Sequence, residues 1–423
     1  MKKTFVLILI IISFGNNLKA QNSFVFKDSV YKNGIETVLI YKKGWQLSFP
    51  IISIDNPQDK ILLTFDEIGS KTGDYSWKIK HCNFDWTESD LDAIDYIDGF
   101  DEGYIADYTL SKNTKVDYIN YQISFPNEDL IFRETGNYVV IVYENNDPEQ
   151  IVLTKRFYVY KPEVDIQGNV FKQPVAKIFK NQTVNFTARY NQNILSPTEN
   201  LKFLIIKNGE DFLTTEGVVP SSVTFNTIAF EHRRELSFPG INEYRHFDIK
   251  SVKFLSDKLQ NIENADKLYK ILLRPDEILS NDKYNYKPDL NGKRFIKLEN
   301  NNNSNFEADY CEITFRLAAP LNINSGDYYV YGALSDWKLS DKYKMHYNAQ
   351  GYYTATLFLK QGYYNYRYVF KNEGLDIATD AQWYIAEGNF YQTENDYFIL
   401  CYYSNPTKTF DEIVGFLYLN TEE

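Results

Sequence analysis

The chain has 423 residues, of which 43% are hydrophobic and 24% are charged, and these proportions exclude a fully disordered or collagen-like polymer. Aromatic residues make up 17% of the chain, which favours a strand-rich protein because flat rings pack well on pleated surfaces. The formal net charge of −12 provides no positive field to hold a nucleic acid or an anionic membrane surface, so neither is an expected partner.

The N-terminus, residues 1–20, has the layout of a secretory signal peptide. Two lysines precede the apolar run Phe5–Phe14, and the small residue Ala20 follows it. The run is roughly half as long as a membrane-spanning helix, so we expect cleavage after Ala20 rather than a membrane anchor. Cleavage there would remove three lysines and no acid, changing the net charge from −12 to −15. Position 21 is Gln21 rather than cysteine, so a lipid anchor has no acceptor thiol.

Period-2 patterns predict a first β-sandwich at residues 40–160, after an N-terminal segment at 21–39. Tyr75, Trp77 and Ile79 alternate with polar residues, as in a strand that buries one face. Residues 137–143 (NYVVIVY) are apolar on both faces, which predicts a central strand. Strands at this spacing, separated by turn residues, are typical of an antiparallel immunoglobulin-like sandwich.

An acidic loop that also carries aromatic rings follows the Tyr75 strand. Its eight carboxylates between positions 85 and 102 lack the spacing of a calcium loop, so we interpret them as solvated and expect no metal site. Rings with a polar surround commonly anchor protein interfaces. We therefore expect a partner-binding surface that includes Asp85, Trp86, Asp95, Tyr96 and Phe100. The alternative is that these rings, Trp86 above all, pack the loop onto its own sandwich.

Two further sandwiches are predicted at residues 161–305 and 306–423. The Asn-rich stretch 299–305 has almost nothing to bury and is interpreted as the exposed loop that separates them. The last unit has five strand-like runs with glycines at their turns. The predicted fold class is all-β, with tandem immunoglobulin-like β-sandwich domains.

The sequence contains no assembled catalytic or metal-binding motif. Nucleophile, phosphate-loop and zinc-protease signatures are absent, and the four histidines are scattered, so we expect no enzyme activity, cofactor or metal. His81 shares the inward parity of its strand and is interpreted as a core histidine that hydrogen-bonds a loop. Trp337 and Trp383 fit either a sugar-stacking platform or a core.

Three cysteines occur in the chain, Cys82, Cys311 and Cys401, and an odd number cannot be fully paired within it. We favour their interpretation as small buried hydrophobic residues, because a chain of this size can build its core without disulfides. A disulfide between Cys311 and Cys401 stays open as an alternative.

Many uncommon strings in one order make the mature chain resemble the type IX secretion system plug protein family. The first of these are YSWKIKHCNFDW at 75–86, DYIDGF at 95–100, SKNT at 111–114 and GNY at 136–138. The later ones are GINEYRHFDIKS at 240–251, DLNG at 289–292, EADY at 307–310, LKQGYYNY at 359–366, EGNFYQTENDY at 387–397 and DEIVG at 411–415.

The resemblance implies a non-enzymatic, soluble periplasmic protein that closes the periplasmic opening of a very large outer-membrane translocon barrel. Such a barrel encloses an aqueous channel unless something fills or covers it. The barrel is then the expected partner, and the protein would associate with the outer membrane only through it.

The C-terminal unit also resembles early-set immunoglobulin-like domains of the glycogen-binding type. Tyr331 with Gly332, Trp337, Met345, Gly351 and the segment 362–368 carry this likeness. A periplasmic or surface carbohydrate-binding module is therefore the alternative function, and an uncharacterised hydrolase is a third.

Overall fold

A computed structural model describes residues 26–172, 181–280, 282–300, 303–320, 326–372 and 381–422. The expected signal peptide and its cleavage site at Ala20 lie outside these ranges. The described residues form mainly β-strands, most of them paired antiparallel, which confirms the predicted all-β class. The α-helices are single turns: α1 (Ala93–Tyr96), α2 (Pro197–Asn200), α3 (Ser304–Glu307) and α4 (Trp383–Glu387).

The strands are numbered in chain order in three stretches. The first stretch contains β1 (Ser29–Val30), β2 (Ile35–Lys42), β3 (Ile51–Ser53), β4 (Ile61–Ile68), β5 (Tyr75–Cys82), β6 (Ile97–Gly99), β7 (Glu102–Tyr104), β8 (Asp107–Leu110), β9 (Tyr118–Phe125), β10 (Leu130–Phe132), β11 (Gly136–Glu144) and β12 (Ile151–Tyr160). The second contains β13 (Asp165–Phe171), β14 (Asn181–Arg189), β15 (Leu201–Lys207), β16 (Asp211–Thr214), β17 (Ser222–Val223), β18 (Thr227–Phe230), β19 (Ser237–Pro239), β20 (Arg245–Asp248), β21 (Leu259–Asn264), β22 (Tyr269–Leu273), β23 (Asp276–Glu277) and β24 (Arg294–Phe295). The third contains β25 (Tyr310–Ala318), β26 (Gly326–Tyr331), β27 (His346–Tyr347), β28 (Tyr353–Lys360), β29 (Tyr363–Asn372), β30 (Ala381–Gln382), β31 (Asp396–Ser404) and β32 (Asp411–Asn420).

Four sheets are stacked face to face to form the first and second sandwiches. Sheet I (β2-β4-β9-β8) packs on sheet II (β1-β12-β11-β5-β7, with β3). The outer face of sheet II packs in turn on sheet III (β16-β15-β31-β32). Sheet III then packs on sheet IV (β13-β14-β18-β17, with β19). Three apolar layers therefore lie between four sheets.

The two inner sheets explain the runs that are apolar on both faces. In β11, Val140 belongs to the core between sheets I and II, whereas its neighbour Val139 lies between sheets II and III. In β31, Ile399 faces sheet IV while Leu400 faces sheet II. Successive side chains on a strand point to opposite faces, so a strand between two apolar layers needs apolar residues throughout.

A further sandwich lies beside this stack and has its own core. One sheet is centred on β29, which pairs with β20, β24, β26 and β30, and the other runs β21-β22-β25-β28-β27 with β23 beside β25. Strand pairing crosses the boundary expected at residue 305, because β15 pairs with β31 and β20 pairs with β29. The chain thus enters the further sandwich before 305 and returns to sheet III at β31. Residues 303–307 are part of this path, and Ser304 in α3 is buried.

A buried ion pair joins the first sandwich to the further one. Lys360 Nζ lies 2.6 Å from Asp66 Oδ2, and the Tyr310 hydroxyl donates a hydrogen bond to the same oxygen at 2.7 Å. Burial lowers the pKa of Lys360, and the Asp66 carboxylate opposes that shift. Removing one partner of such a pair is costly because it leaves an uncompensated buried charge. The pair therefore fixes how the two units meet.

Candidate partner-binding surface

The acidic loop folds into a small ribbon at one end of the first sandwich. Asp92 and Asp95 start α1 by accepting each other's backbone N–H, and the chain then enters β6. Strand β6 pairs antiparallel with β10, so that Ile131 lies opposite Asp98. Gly99 has a φ of +108°, and a Cβ atom there would collide with the Asp129 carbonyl. A glycine is therefore required for the close approach of the two ribbon strands.

The inner side of this ribbon belongs to the core. Tyr96 is only 3% exposed, and its hydroxyl donates a hydrogen bond to the Ile79 carbonyl at 3.2 Å. Ile97, Leu130 and Phe132 are buried in the same cluster. Tyr96 therefore anchors the ribbon to its own sandwich, as the alternative interpretation expects.

Trp86 is also buried, at the junction of sheets II and III. Its indole ring packs edge to face with Tyr158, with ring centroids 5.4 Å apart, and the Arg156 guanidinium lies 4.3 Å from the centre of the ring. The neighbouring carboxylate of Asp85 is exposed and accepts hydrogen bonds from the Thr87 backbone and hydroxyl. The structure thus places Trp86 in the interior and Asp85 at the surface, in a local turn.

The outer side of the ribbon exposes three large apolar residues. Ile94 is 73% exposed, Phe100 is 69% exposed and Ile131 is 56% exposed, and we call this set the ribbon patch. Phe100 donates its backbone N–H to the Asp129 carbonyl at 2.9 Å, and Arg133 donates to the Ile94 carbonyl at 3.2 Å. These bonds hold the three residues on one short ribbon.

Carboxylates surround the ribbon patch. Asp95 and Asp98 are exposed, and Asp98 lies 3.6 Å from Arg133 in an exposed ion pair. Asp90, Asp92 and Asp129 are also exposed along the same segments. An apolar centre within a charged surround is the usual anatomy of a protein interface. Of the three expected rings, only Phe100 is placed to contact a partner.

Sequence reasoning missed Ile94 and Ile131. Residues 130–132 are apolar in succession, so alternation does not tell which side chain faces outward. Ile94 lies among other apolar residues of the acidic run, including Leu91 and Ile97, so the sequence does not single it out as the exposed one.

His81 is a core residue, which confirms its interpretation from the sequence. The ring is 1% exposed, with Nε2 donating to the Thr135 carbonyl at 3.1 Å and the Ser89 hydroxyl donating to Nδ1 at 2.9 Å. Burial lowers the pKa of His81 to about 4. The ring is therefore neutral near pH 7, and its two nitrogens are already occupied by structural hydrogen bonds.

The remaining sequence candidates have structural roles. Cys82, Cys311 and Cys401 are free and buried, so the disulfide left open between the last two is not formed. Trp337 and Trp383 both pack edge to face on Tyr331, in a cluster with partly buried rings. In the part of the chain that the structure describes, no group of three or more His, Cys, Asp or Glu is arranged to hold a metal ion.

No helix within the described ranges has the length and apolarity to cross a membrane.

Comparisons with known proteins identify the family. Residues 35–161, which contain the ribbon patch, match the family described as type 9 secretion system plug protein 1st domain. A crystal structure of a hypothetical protein from Parabacteroides merdae is 32% identical and has a TM-score of 0.87, with 94% of this chain and 100% of that chain covered. A serine-rich repeat protein from Streptococcus agalactiae is 9% identical over 91% of this chain and 93% of its own. Its TM-score of 0.12 is too low to indicate a shared fold. No curated protein matches.

The match covers the acidic ribbon and strands β2 to β12 of the first sandwich, and the structural likeness extends over 94% of the chain. This family is a plug family of the type IX secretion system and is not a known enzyme family. The chain is a member of the type IX secretion system plug protein family.

Proposed function

We propose that the mature protein is a non-enzymatic periplasmic plug that closes the periplasmic opening of the type IX outer-membrane translocon barrel. Family membership is the observation that carries this proposal. Export by the N-terminal signal peptide, with cleavage after Ala20, would deliver the protein to that compartment.

The architecture supports a closing role. A plug has to resist deformation when it covers a wide aqueous opening, and large barrels leave such an opening in their lumen. Three apolar layers between four sheets, together with the buried pair between Asp66 and Lys360, hold the described units in one arrangement. The ribbon patch supplies an exposed contact with an apolar centre and an acidic surround.

The carbohydrate-binding alternative loses its main support. A sugar platform needs exposed ring faces, but Trp337 and Trp383 are partly buried against Tyr331, and the Arg367 guanidinium lies 4.3 Å from the centre of the Trp383 ring. These two rings therefore stabilise the further sandwich.

Deleting this chain tests the sealing function. We expect the deletion strain to become sensitive to a large hydrophilic antibiotic, because an unplugged barrel admits solutes that ordinary porins exclude. Removing the barrel as well should restore resistance, and expressing the wild-type chain in the single deletion should do the same. Equal sensitivity in the single and double deletions would contradict the proposal.

A further inference from the structure

A second exposed aromatic site lies where the β2–β3 loop meets sheet III. The cleft has a volume of about 300 Å³, and Trp45, Phe49, Phe416 and Tyr418 are among the residues that line it. We call it the Trp45 cleft. It is formed by the first and second sandwiches together, at the open end of the apolar layer between sheets II and III.

Trp45 stands at the mouth of this cleft and is 61% exposed. Its loop is nevertheless held at both ends. The Trp45 N–H donates to the Lys42 carbonyl at 3.0 Å, and the Ser48 N–H donates to the Trp45 carbonyl at 3.0 Å. The Lys42 N–H in turn donates to the Ser48 hydroxyl at 2.8 Å. A large ring held at the surface in this way is the kind of anchor that binding sites use.

The wall behind Trp45 is a stack of rings whose faces are already covered. Phe49 stacks on Phe398 at 4.4 Å and on Tyr158 at 5.2 Å, and its plane is tilted by no more than 18° from either. Phe398 also stacks on Tyr418 at 5.4 Å. A sugar needs free ring faces on which to lie, whereas an apolar side chain can fill a narrow space bounded by ring edges. The wall therefore suits an inserted side chain.

The rim of the cleft is locally positive in a chain whose net charge is −12. Lys42 pairs with Asp59 at 2.7 Å, and Lys293 pairs with Asp396 at 2.9 Å, so these carboxylates are already neutralised. Lys43 also lines the cleft and is exposed, and within the described ranges no carboxylate forms an ion pair with it. An incoming carboxylate would find a free ammonium group there.

From the ring wall and the charged rim, we propose that the Trp45 cleft binds an extended acidic peptide segment of a partner protein. One aromatic or large aliphatic side chain of the peptide fills the space between Trp45 and the stacked wall. A neighbouring Asp or Glu pairs with Lys43. This site is separate from the ribbon patch, and the inference does not depend on which partner the ribbon patch contacts.

Two labelled peptides test the proposal on the full mature protein. They share a Phe-Ser-Phe centre and are flanked by glutamates in one peptide and by lysines in the other. Fluorescence anisotropy should show that the glutamate-flanked peptide binds more tightly. Its binding should also shift tryptophan emission to shorter wavelength, because Trp45 is the most exposed tryptophan and would become covered.

Single substitutions in the protein locate the peptide-binding site. Trp45→Ala should weaken binding of the glutamate-flanked peptide by at least about ten-fold. Lys43→Glu should weaken it about five-fold, as for an exposed ion pair. Lys71→Glu is the matched control, since this exposed lysine lies beyond the far end of β4 and should leave binding unchanged.

Three results would overturn the proposal. The first is equal binding of the two peptides, or binding of neither. The second is an equal loss in Lys43→Glu and Lys71→Glu. The third is an emission shift that a panel of neutral oligosaccharides produces and the peptides do not, which would assign the cleft to a glycan.

Discussion

Phe100 and Ile131 expose apolar surface on the outer side of the ribbon while contributing nothing to the core beneath it. Replacing both with serine should weaken capture of the translocon barrel from outer-membrane extract by about ten-fold or more, because apolar anchors dominate interface energy. The free energy of unfolding should change by no more than about 0.5 kcal/mol, since both side chains are exposed. Capture is measured by pulldown, and stability by urea titration.

Phe225→Ser provides the matched control for these ribbon variants. Phe225 is 83% exposed but lies in the second sandwich, away from the ribbon. Its replacement should leave capture intact. An equal loss of capture in this control, or undiminished capture by the folded ribbon double variant, would show that the ribbon patch is not the contact surface.

His81 should make the stability of the protein depend on pH. Its pKa is about 4 in the folded state and about 6.5 in the unfolded chain, so only the unfolded chain binds the proton between these values. The effect of His81 on stability is absent above about pH 6.5. As the pH falls from there towards 4, proton binding to the unfolded chain lowers the free energy of unfolding progressively. At pH 5 the free energy of unfolding should be about 2 kcal/mol lower than at pH 7.

His81→Gln isolates that contribution, because an amide can still donate to the Thr135 carbonyl but does not titrate. Urea titrations at pH 7 and pH 5 should show that the variant loses about 2 kcal/mol less stability than the wild-type protein. Equal losses would mean that the folded protein accommodates the charged imidazole.

Strand β31 is the element that couples the sandwiches, because its two faces belong to different apolar layers. Leu400 is fully buried against sheet II, and Ile399 is fully buried against sheet IV. A sheet that is shared in this way cannot separate from either neighbour without exposing apolar surface to water.

Leu400→Ala and Ile399→Ala should therefore lower the same thermal transition. Each substitution removes a large buried side chain and should cost about 2 to 5 kcal/mol. Calorimetry should show one transition for sheets I to IV in both variants. Two separate transitions, with only one of them shifted by each substitution, would mean that the sandwiches unfold independently.

At the scale of the whole molecule, buried ion pairs join units that the apolar layers between sheets I to IV do not connect. Lys360 and Asp66 join the further sandwich to the first one, and Arg367 pairs with Glu210 at 2.7 Å between β29 and the turn that follows β15. All four side chains are almost fully buried. Such pairs specify one relative placement of two units, because any other leaves a charge without its partner in a low-dielectric interior.

The sequence by itself determined the strand content, the all-β class and the family. Alternation in Tyr75, Trp77 and Ile79 depends only on the two-residue period of a strand, so it is readable without tertiary information. The apolar run of β11 likewise predicted a strand that is buried on both faces. The strings shared with the plug family required no structure at all.

Only the tertiary structure decided which strands share a sheet and which rings reach the surface. An apolar run predicts burial on both faces but does not indicate which strands lie beside it. The pairing of β15 with β31 across residue 305 therefore has no local signal in the sequence. Trp86, Tyr96 and Phe100 are all rings within the acidic run, but the turn at Trp86 and the direction of β6 bury the first two and expose the third. Exposure depends on the neighbouring layers, which the local pattern does not contain.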